Sequence, residues 1–408
     1  MMGATDSAYT GAQARRHDHM LNGKPRHIVV LGAGFGGLAL ASELNDVAAR
    51  GEAVVTLVDR TTHFNMGFSL QWVLTGRRRP DEGMRPYASM LAEHVRFVHD
   101  EIVAIDTGAR RVHTRTRDLP YDDLVIATGA EMDPGRIPGL AEASHNLCSI
   151  DHVLQLKGAL AEVDSGAVVI AVSATPFKCP PAPYEYALLV DEMLRERGVR
   201  DRVPLILTTP EPHPMPTAGP RIGATVAAWM ADNGVELHVQ HRITSVDPAA
   251  RRITYENGLE LQYAVFGAMW PHRAPKAVRA AGLTNDMGFV PVKFGTFETA
   301  TPNVYAVGDV AAMRLPSDKP HPKSGMFAEA QATIVGRNLA AQITGSPQVA
   351  YPGKGACFFE MGSDMATAVE ADLLPLDGPK MTMQPPSAEG LELKAEFEVD
   401  CFTRWFGG

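Results

Sequence analysis

Cysteine is scarce in this 408-residue chain, with four residues at 148, 179, 357 and 401 and no CxxC or Cys/His spacing among them. That excludes a disulfide scaffold and a thiol-based zinc site. Positive charge is short as well: 38 Lys and Arg against 47 Asp and Glu give a net charge of −9, which argues against nucleic acid as a partner. No stretch approaches the ~18 consecutive apolar residues of a transmembrane helix, so membrane contact is expected to be peripheral. Residues 1–25 are polar and lack the apolar segment of a secretion signal. They read as a disordered leader, and the expected location is cytoplasmic or peripheral on an inner membrane. One further absence is local. Residues 173–185, Ser-Ala-Thr-Pro-Phe-Lys-Cys-Pro-Pro-Ala-Pro-Tyr-Glu, contain no glycine. Pro180, Pro181 and Pro183 also lack backbone N–H groups, so the turn is poorly equipped to cradle a pyrophosphate.

At this length two or three domains are expected, and 45% hydrophobic residues supply large cores. The fold class reads as α/β, with two Rossmann-like dinucleotide-binding domains and a C-terminal segment. The first domain takes residues 26–149 and 295–350, the second 150–294, and the C-terminal piece 351–408. The opening unit is complete. His27–Leu31 reads as a buried strand, Gly32-Ala-Gly34-Phe-Gly36-Gly37 as a turn, and residues to about 50 as a helix; the strand Val54–Val58 ends in Asp59. Gly32 permits the tight turn, Gly34 lets backbone approach a pyrophosphate, and Gly37 lets helix and strand pack closely. Asp59 stands about 20 residues beyond, where a carboxylate binds ribose hydroxyls.

The second unit has a strand at 167–172, the glycine-free turn, a helix from Tyr184 to Arg197 and a strand at 204–208. A hairpin is expected over Ile253–Tyr263, with Asn257-Gly258 as a type I′ turn. Cys179 stands where the phosphate nest would be. A helix mouth and the neighbouring Lys178 both favour thiolate, which suggests that electrons enter through sulfur rather than nicotinamide. Cys357 lies in a glycine-flanked apolar strand, Gly353–Gly362, and Cys401 reads as packing.

Two segments, Tyr121–Gly129 ending in Thr128-Gly129 and Val304–Asp309 ending in Gly308-Asp309, resemble the auxiliary motifs of FAD-dependent pyridine nucleotide-disulfide oxidoreductases. The resemblance implies that Asp309 binds the ribityl or phosphate region of FAD. Six segments, Gly32–Gly37, Leu147–His152, Lys178–Glu185, Pro322–Gly325, Ala356–Gly362 and Lys394–Phe397, are together similar to the sulfide:quinone oxidoreductases and to the flavoprotein subunit of flavocytochrome c sulfide dehydrogenase. That likeness implies oxidation of sulfide to polysulfide or sulfane sulfur through a Cys179/Cys357 redox pair, with electrons passing via FAD to a quinone. Glu185 matches the acid/base carboxylate, Cys148 a residue aiding sulfur entry or release, and His152 a candidate proton carrier, with His213 a weaker one. Lys323 would face the flavin pyrimidine edge at a helix start, and Lys394 and Phe397 would line the acceptor pocket.

Residues Leu393, Phe397, Val399, Phe402, Trp405 and Phe406 either touch lipid or close the core. The Cys-Pro-Pro-Ala-Pro-Tyr-Glu turn also resembles the flavocytochrome branch, whose acceptor is a cytochrome c subunit. That branch attaches FAD through a cysteine near the second strand, and Phe64-Asn-Met-Gly67 has none. Quinone is therefore the favoured acceptor, a cytochrome c subunit the alternative, and an NAD(P)H:acceptor oxidoreductase a further reading that the prolines disfavour. A homo-oligomer is left open.

Overall fold

The computed structural model describes residues 24–408, so the expected leader lies, except for its last two residues, outside the described residues. Short runs of Val, Ile and Leu buried on both faces are the material of parallel sheets, and two such sheets form. The first runs in the order Val304–Ala306, Asp123–Ile126, Arg26–Leu31, Ala53–Asp59, Arg96–His99. All its pairings are parallel, with Ile28 opposite Val55 on one side and Asp123 on the other. The second runs His145–Asn146, Val265–Met269, Val168–Val172, Leu205–Thr208, Glu236–His238, again all parallel.

Helix α1 (Phe35–Ala49) leaves the glycine turn and packs beside the first sheet. The short helix α2 (Ser69–Thr75) is buried along most of its length. Helix α3 (Ala182–Glu196) starts with Pro181 at its N-cap, where a missing N–H costs nothing. Helix α4 (Gly325–Thr344) is capped by Ser324, whose hydroxyl accepts from the Phe327 N–H, and lies against α1. Beyond it an antiparallel sheet of Lys354–Gly362, Met365–Asp372 and Lys380–Met383 leads to helix α5 (Ala388–Phe406), capped by Ser387.

The end of α5 resolves the choice between lipid and core residue by residue. Phe402, Trp405 and Phe406 are buried among α1 and first-sheet residues, with the Trp405 ring edge-on to Phe64 at 5.5 Å and to Phe35 at 5.6 Å. Burial of each such phenylalanine contributes roughly 1.5–3 kcal/mol. Leu393 and Val399 are instead 42% and 60% exposed. Among the described residues no helix is long and apolar enough to cross a membrane. The 253–263 hairpin forms, but not on a type I′ turn. Only Gly258 is left-handed there (φ 83°), and the Asn257 side chain accepts from the Leu259 N–H, so a longer loop closes the strands.

Candidate active site

The glycine turn is shaped for a diphosphate. Gly32 has φ 94°, and a Cβ on Gly37 would fall 1.9 Å from the Gly32 carbonyl oxygen, so strand and helix touch as only glycine allows. A Cβ on Gly34 would meet nothing within 4 Å: the space before the helix start is open. Gly36 packs under Val307 and Ala127. Asp59 braces this turn, accepting from the Ala33 N–H at 2.7 Å and, through its other oxygen, from Thr61. At the end of the Val304–Ala306 strand, Gly308 is left-handed and Asp309 Oδ1 is buried with no partner among the described residues. A buried carboxylate oxygen left without a donor calls for a ligand hydroxyl. Gly129, beside Thr128, is also left-handed, at φ 62°. These features fit FAD, with Gly32, Gly34, Gly36 and Gly37 at its diphosphate and Asp309 on its hydroxyls.

Lys323 does not stand free before α4. Its ammonium donates to the Asp309 and Ala311 carbonyls, both at 2.7 Å, and lies over the Phe289 ring. Burial pulls it down to about 8. The backbone carbonyl of the same residue accepts the Cys179 N–H at 2.8 Å, which ties the cysteine turn to the start of α4. Cys179 itself is left-handed, with φ 54°.

The expectation that Cys179 is a thiolate is overturned. Burial pushes its thiol well up, and coupling to Cys357, Glu185 and Cys148 pushes it further, against the pull of Lys394. The helix mouth begins three residues later, at Ala182, and Lys178 divides its charge among Cys148, Asp309 and Cys179. Burial likewise raises Cys357 to about 12, aided by Glu185 and opposed by Lys394 and the Phe358 N–H. The Cys148 thiol is also raised by burial, against the pull of Lys178. In all three cases desolvation outweighs the local charges.

Cys357 lies on the Lys354–Gly362 strand, against which α3 packs. This contact brings together a cluster that bridges distant parts of the chain. Glu185 Oε1, in the first turn of α3, accepts the Glu360 N–H at 2.8 Å and the Lys394 ammonium at 3.3 Å. Lys394, on α5, also donates to Glu360 Oε2 at 2.7 Å and to Gln71 Oε1 at 2.6 Å, which uses all three of its donors. Glu360 further accepts from Trp72 Nε1 at 3.0 Å and from Arg77 at 2.8 Å. Glu185, Glu360 and Lys394 are all at most 3% exposed. Lys394 is held above its usual value because the two carboxylates outweigh burial. Phe397, one turn on, is stacked on Phe35 and tilted against Phe358 and against Phe68, whose ring lies 5.5 Å from the Lys394 ammonium.

A cavity of about 880 Å³ opens beside the site, with Cys357, Lys323, Pro180, Pro181, Phe177 and Glu211 in its wall. His152 has its ring edge-on to Trp270 at 4.9 Å, and its Nδ1 is buried without a hydrogen-bond partner among the described residues. His213 Nδ1 is paired with the Pro214 carbonyl. Sequence reasoning missed Glu360, Gln71, Trp72, Arg77 and Glu211. A faint signal existed for two of them: Glu360 is the one charge in Ala-Cys-Phe-Phe-Glu-Met, and Gln71 the one amide in Ser-Leu-Gln-Trp-Val-Leu.

Two all-parallel sheets flanked by helices, with a glycine turn and open cradle on the first, define a flavoprotein oxidoreductase. The pyridine nucleotide-disulphide oxidoreductase family model matches residues 26–332, and the chain belongs to that family; the enzyme is FAD-dependent. It is 27% identical over 359 residues to a sulfide-quinone reductase of Aquifex aeolicus, covering 83% of this chain and 82% of that one. A type II NADH:quinone oxidoreductase of Staphylococcus haemolyticus is 23% identical, over 78% of this chain and 83% of that one. Among solved structures, the sulfide:quinone oxidoreductase of Aquifex aeolicus superimposes with a TM-score of 0.81 at 25% identity, covering 93% of this chain and 91% of that one.

Proposed function

We propose that the enzyme oxidises sulfide through Cys179 and Cys357 and delivers the electrons, via FAD, to a quinone. What carries this reading is that Glu185, six residues past Cys179, is held by Lys394 and by the backbone of the strand that bears Cys357, so that both cysteine segments meet at one buried carboxylate and one ammonium. With the pair oxidised, hydrosulfide attacks the Cys179 sulfur. A new S–S bond forms there, the bond to Cys357 breaks, and Cys357 departs with the electron pair. FAD, when bound, is the two-electron acceptor from this sulfur. Burial makes Cys357 a poor leaving group, since its thiol is pushed up to about 12. The Lys394 ammonium, which draws that thiol down, stabilises the departing charge, and Glu185 takes the hydrosulfide proton. Cys148 lies within electrostatic reach of Cys179 and is assigned to sulfur entry or release.

Quinone is favoured as acceptor by the likeness to the sulfide-quinone reductase and to the NADH:quinone oxidoreductase. Lys394 and Phe397 are the residues assigned to its site, on one face of α5, and contact with the membrane surface is peripheral. The prolines of the 173–183 turn count against NADH as donor. Anaerobic titration with sulfide should bleach the flavin, and decylubiquinone should restore it. Cys179→Ser and Cys357→Ser should each abolish bleaching, whereas Cys401→Ser, at a site buried beside Arg404, should not. Bleaching by NADH in place of sulfide would overturn the assignment, and recovery only with cytochrome c would replace quinone as acceptor.

A further inference from the structure

We propose that Glu360 is a positioning residue that sets the electrostatic potential at the two thiols through Lys394. This rests on the reading of Cys179 and Cys357 as the reacting thiols. Glu360 is fully buried and follows Cys357 by three residues on one strand, so their Cα atoms are about 10 Å apart, at ~3.3 Å per residue, and their side chains leave opposite faces of it, which sets the carboxylate farther from the sulfur than that spacing. It touches both groups to which the thiols are coupled. Its backbone N–H holds Glu185 and its carboxylate holds Lys394. It therefore fixes where the ammonium sits between the sulfur side, marked by Glu185, and α5.

The set comprises two carboxylates, Glu185 and Glu360, and two cations, Lys394 and Arg77, and is neutral. Around it stand Gln71 and Trp72 from α2, and Asp364, which holds the outer nitrogen of Arg77 at 2.6 Å. Next along the surface are the Arg78–Glu398 pair and Glu192, which accepts the Ser363 N–H. Cys357, Cys179 and Cys148 complete the charged surroundings on the sulfur side. A change of charge at Glu360 falls directly on Lys394 and Arg77, and through Lys394 on the thiols.

The experiment uses reduced, flavin-loaded protein under argon. Iodoacetamide labelling of each cysteine is followed by mass spectrometry from pH 6 to pH 11, and flavin reduction by sulfide is measured in parallel. Glu360→Gln leaves the set with one excess positive charge. It should move the labelling of Cys357 and Cys179 to lower pH by up to about one unit, the upper figure being that of a unit charge ~10 Å away in a dielectric of about 20. Glu360→Asp should restore most of the profile, and Cys401 should not move. Arg77→Met removes a partly exposed positive charge and should move the same labelling to higher pH. That second variant keeps the test open if Glu360→Gln fails to fold. A purely structural role would loosen the site, and both variants would shift labelling in the same direction. That result, or profiles superimposed on the parent, overturns the proposal. Opposite shifts in a protein that sulfide does not bleach would uphold the role of Glu360 and sink the sulfide reading instead.

Discussion

Replacing Lys394 by Met tests whether the buried ion cluster has the stated architecture. Methionine fills a similar volume but donates nothing. Glu360 would still hold Trp72 at 3.0 Å and Arg77 at 2.8 Å, whereas Glu185 would keep only the Glu360 N–H. The loss therefore falls chiefly on Glu185, a carboxylate 3% exposed. Removing one partner of a buried pair costs about 3–5 kcal/mol, because the remaining charge stays desolvated. The two surviving contacts to Glu360 place this variant near the lower figure. At about 1.2 °C per kcal/mol for a chain of this length, from ~2.1 cal/mol/K per residue, the midpoint of thermal unfolding should fall by roughly 3–5 °C. The assay is scanning fluorimetry of flavin-loaded protein, supported by urea unfolding. Combining the change with Glu185→Gln removes the stranded charge, so the double variant should be more stable than the sum of the singles by about 1–3 kcal/mol. A Lys394→Met protein within ~0.5 kcal/mol of the parent, or strictly additive singles, would refute the cluster.

Two glycine substitutions should separate cofactor binding from folding. Gly34→Ala adds a methyl into space where nothing of the chain lies within 4 Å, so the protein should fold but lose flavin, read as the ratio of absorbance at 450 and 280 nm. Gly37→Ala drives a Cβ to 1.9 Å from the Gly32 oxygen and should lose both fold and flavin; equal behaviour of the two would contradict the open cradle. Burial raises Glu211 from 4.5 to about 7. Its folded value lies above its unfolded one, so its contribution to stability is intact below about pH 4.5 and is lost as pH rises through 7. Glu211→Gln should therefore gain up to roughly 3 kcal/mol over the parent at pH 8 but little at pH 4.5, measured by urea unfolding; a pH-independent difference would count against this.

Local chemistry was legible in the sequence. A strand, a glycine turn, a helix and a second strand ending in an acid follow one another within some 30 residues, and each is fixed by near-neighbour sterics and hydrogen bonding. The helix beginning near Pro181, the strand carrying Cys357 and the glycine-free turn were readable for the same reason. Where the reading failed, the deciding quantity was not local. Helix dipole and Lys178 argued for a Cys179 thiolate, but desolvation depends on every atom that surrounds the sulfur, and it won. The hairpin at Asn257-Gly258 was placed correctly, but its turn type followed from the spacing of the paired strands.

The sequence alone determined the class: a dinucleotide-binding α/β flavoprotein whose second strand-to-helix turn has no glycine, with cysteines at three informative places. Tertiary structure alone decided what surrounds those sulfurs. Lys394 meets Gln71 across 323 residues and Glu185 across 209, and Arg77 meets Glu360 across 283. No periodicity or spacing encodes such partners, because they are chosen by the packing of α5 and the C-terminal sheet onto α2 and α3. Burial then turns ordinary surface-type residues into a closed set of charges, since a buried carboxylate must find a cation or lose its own charge.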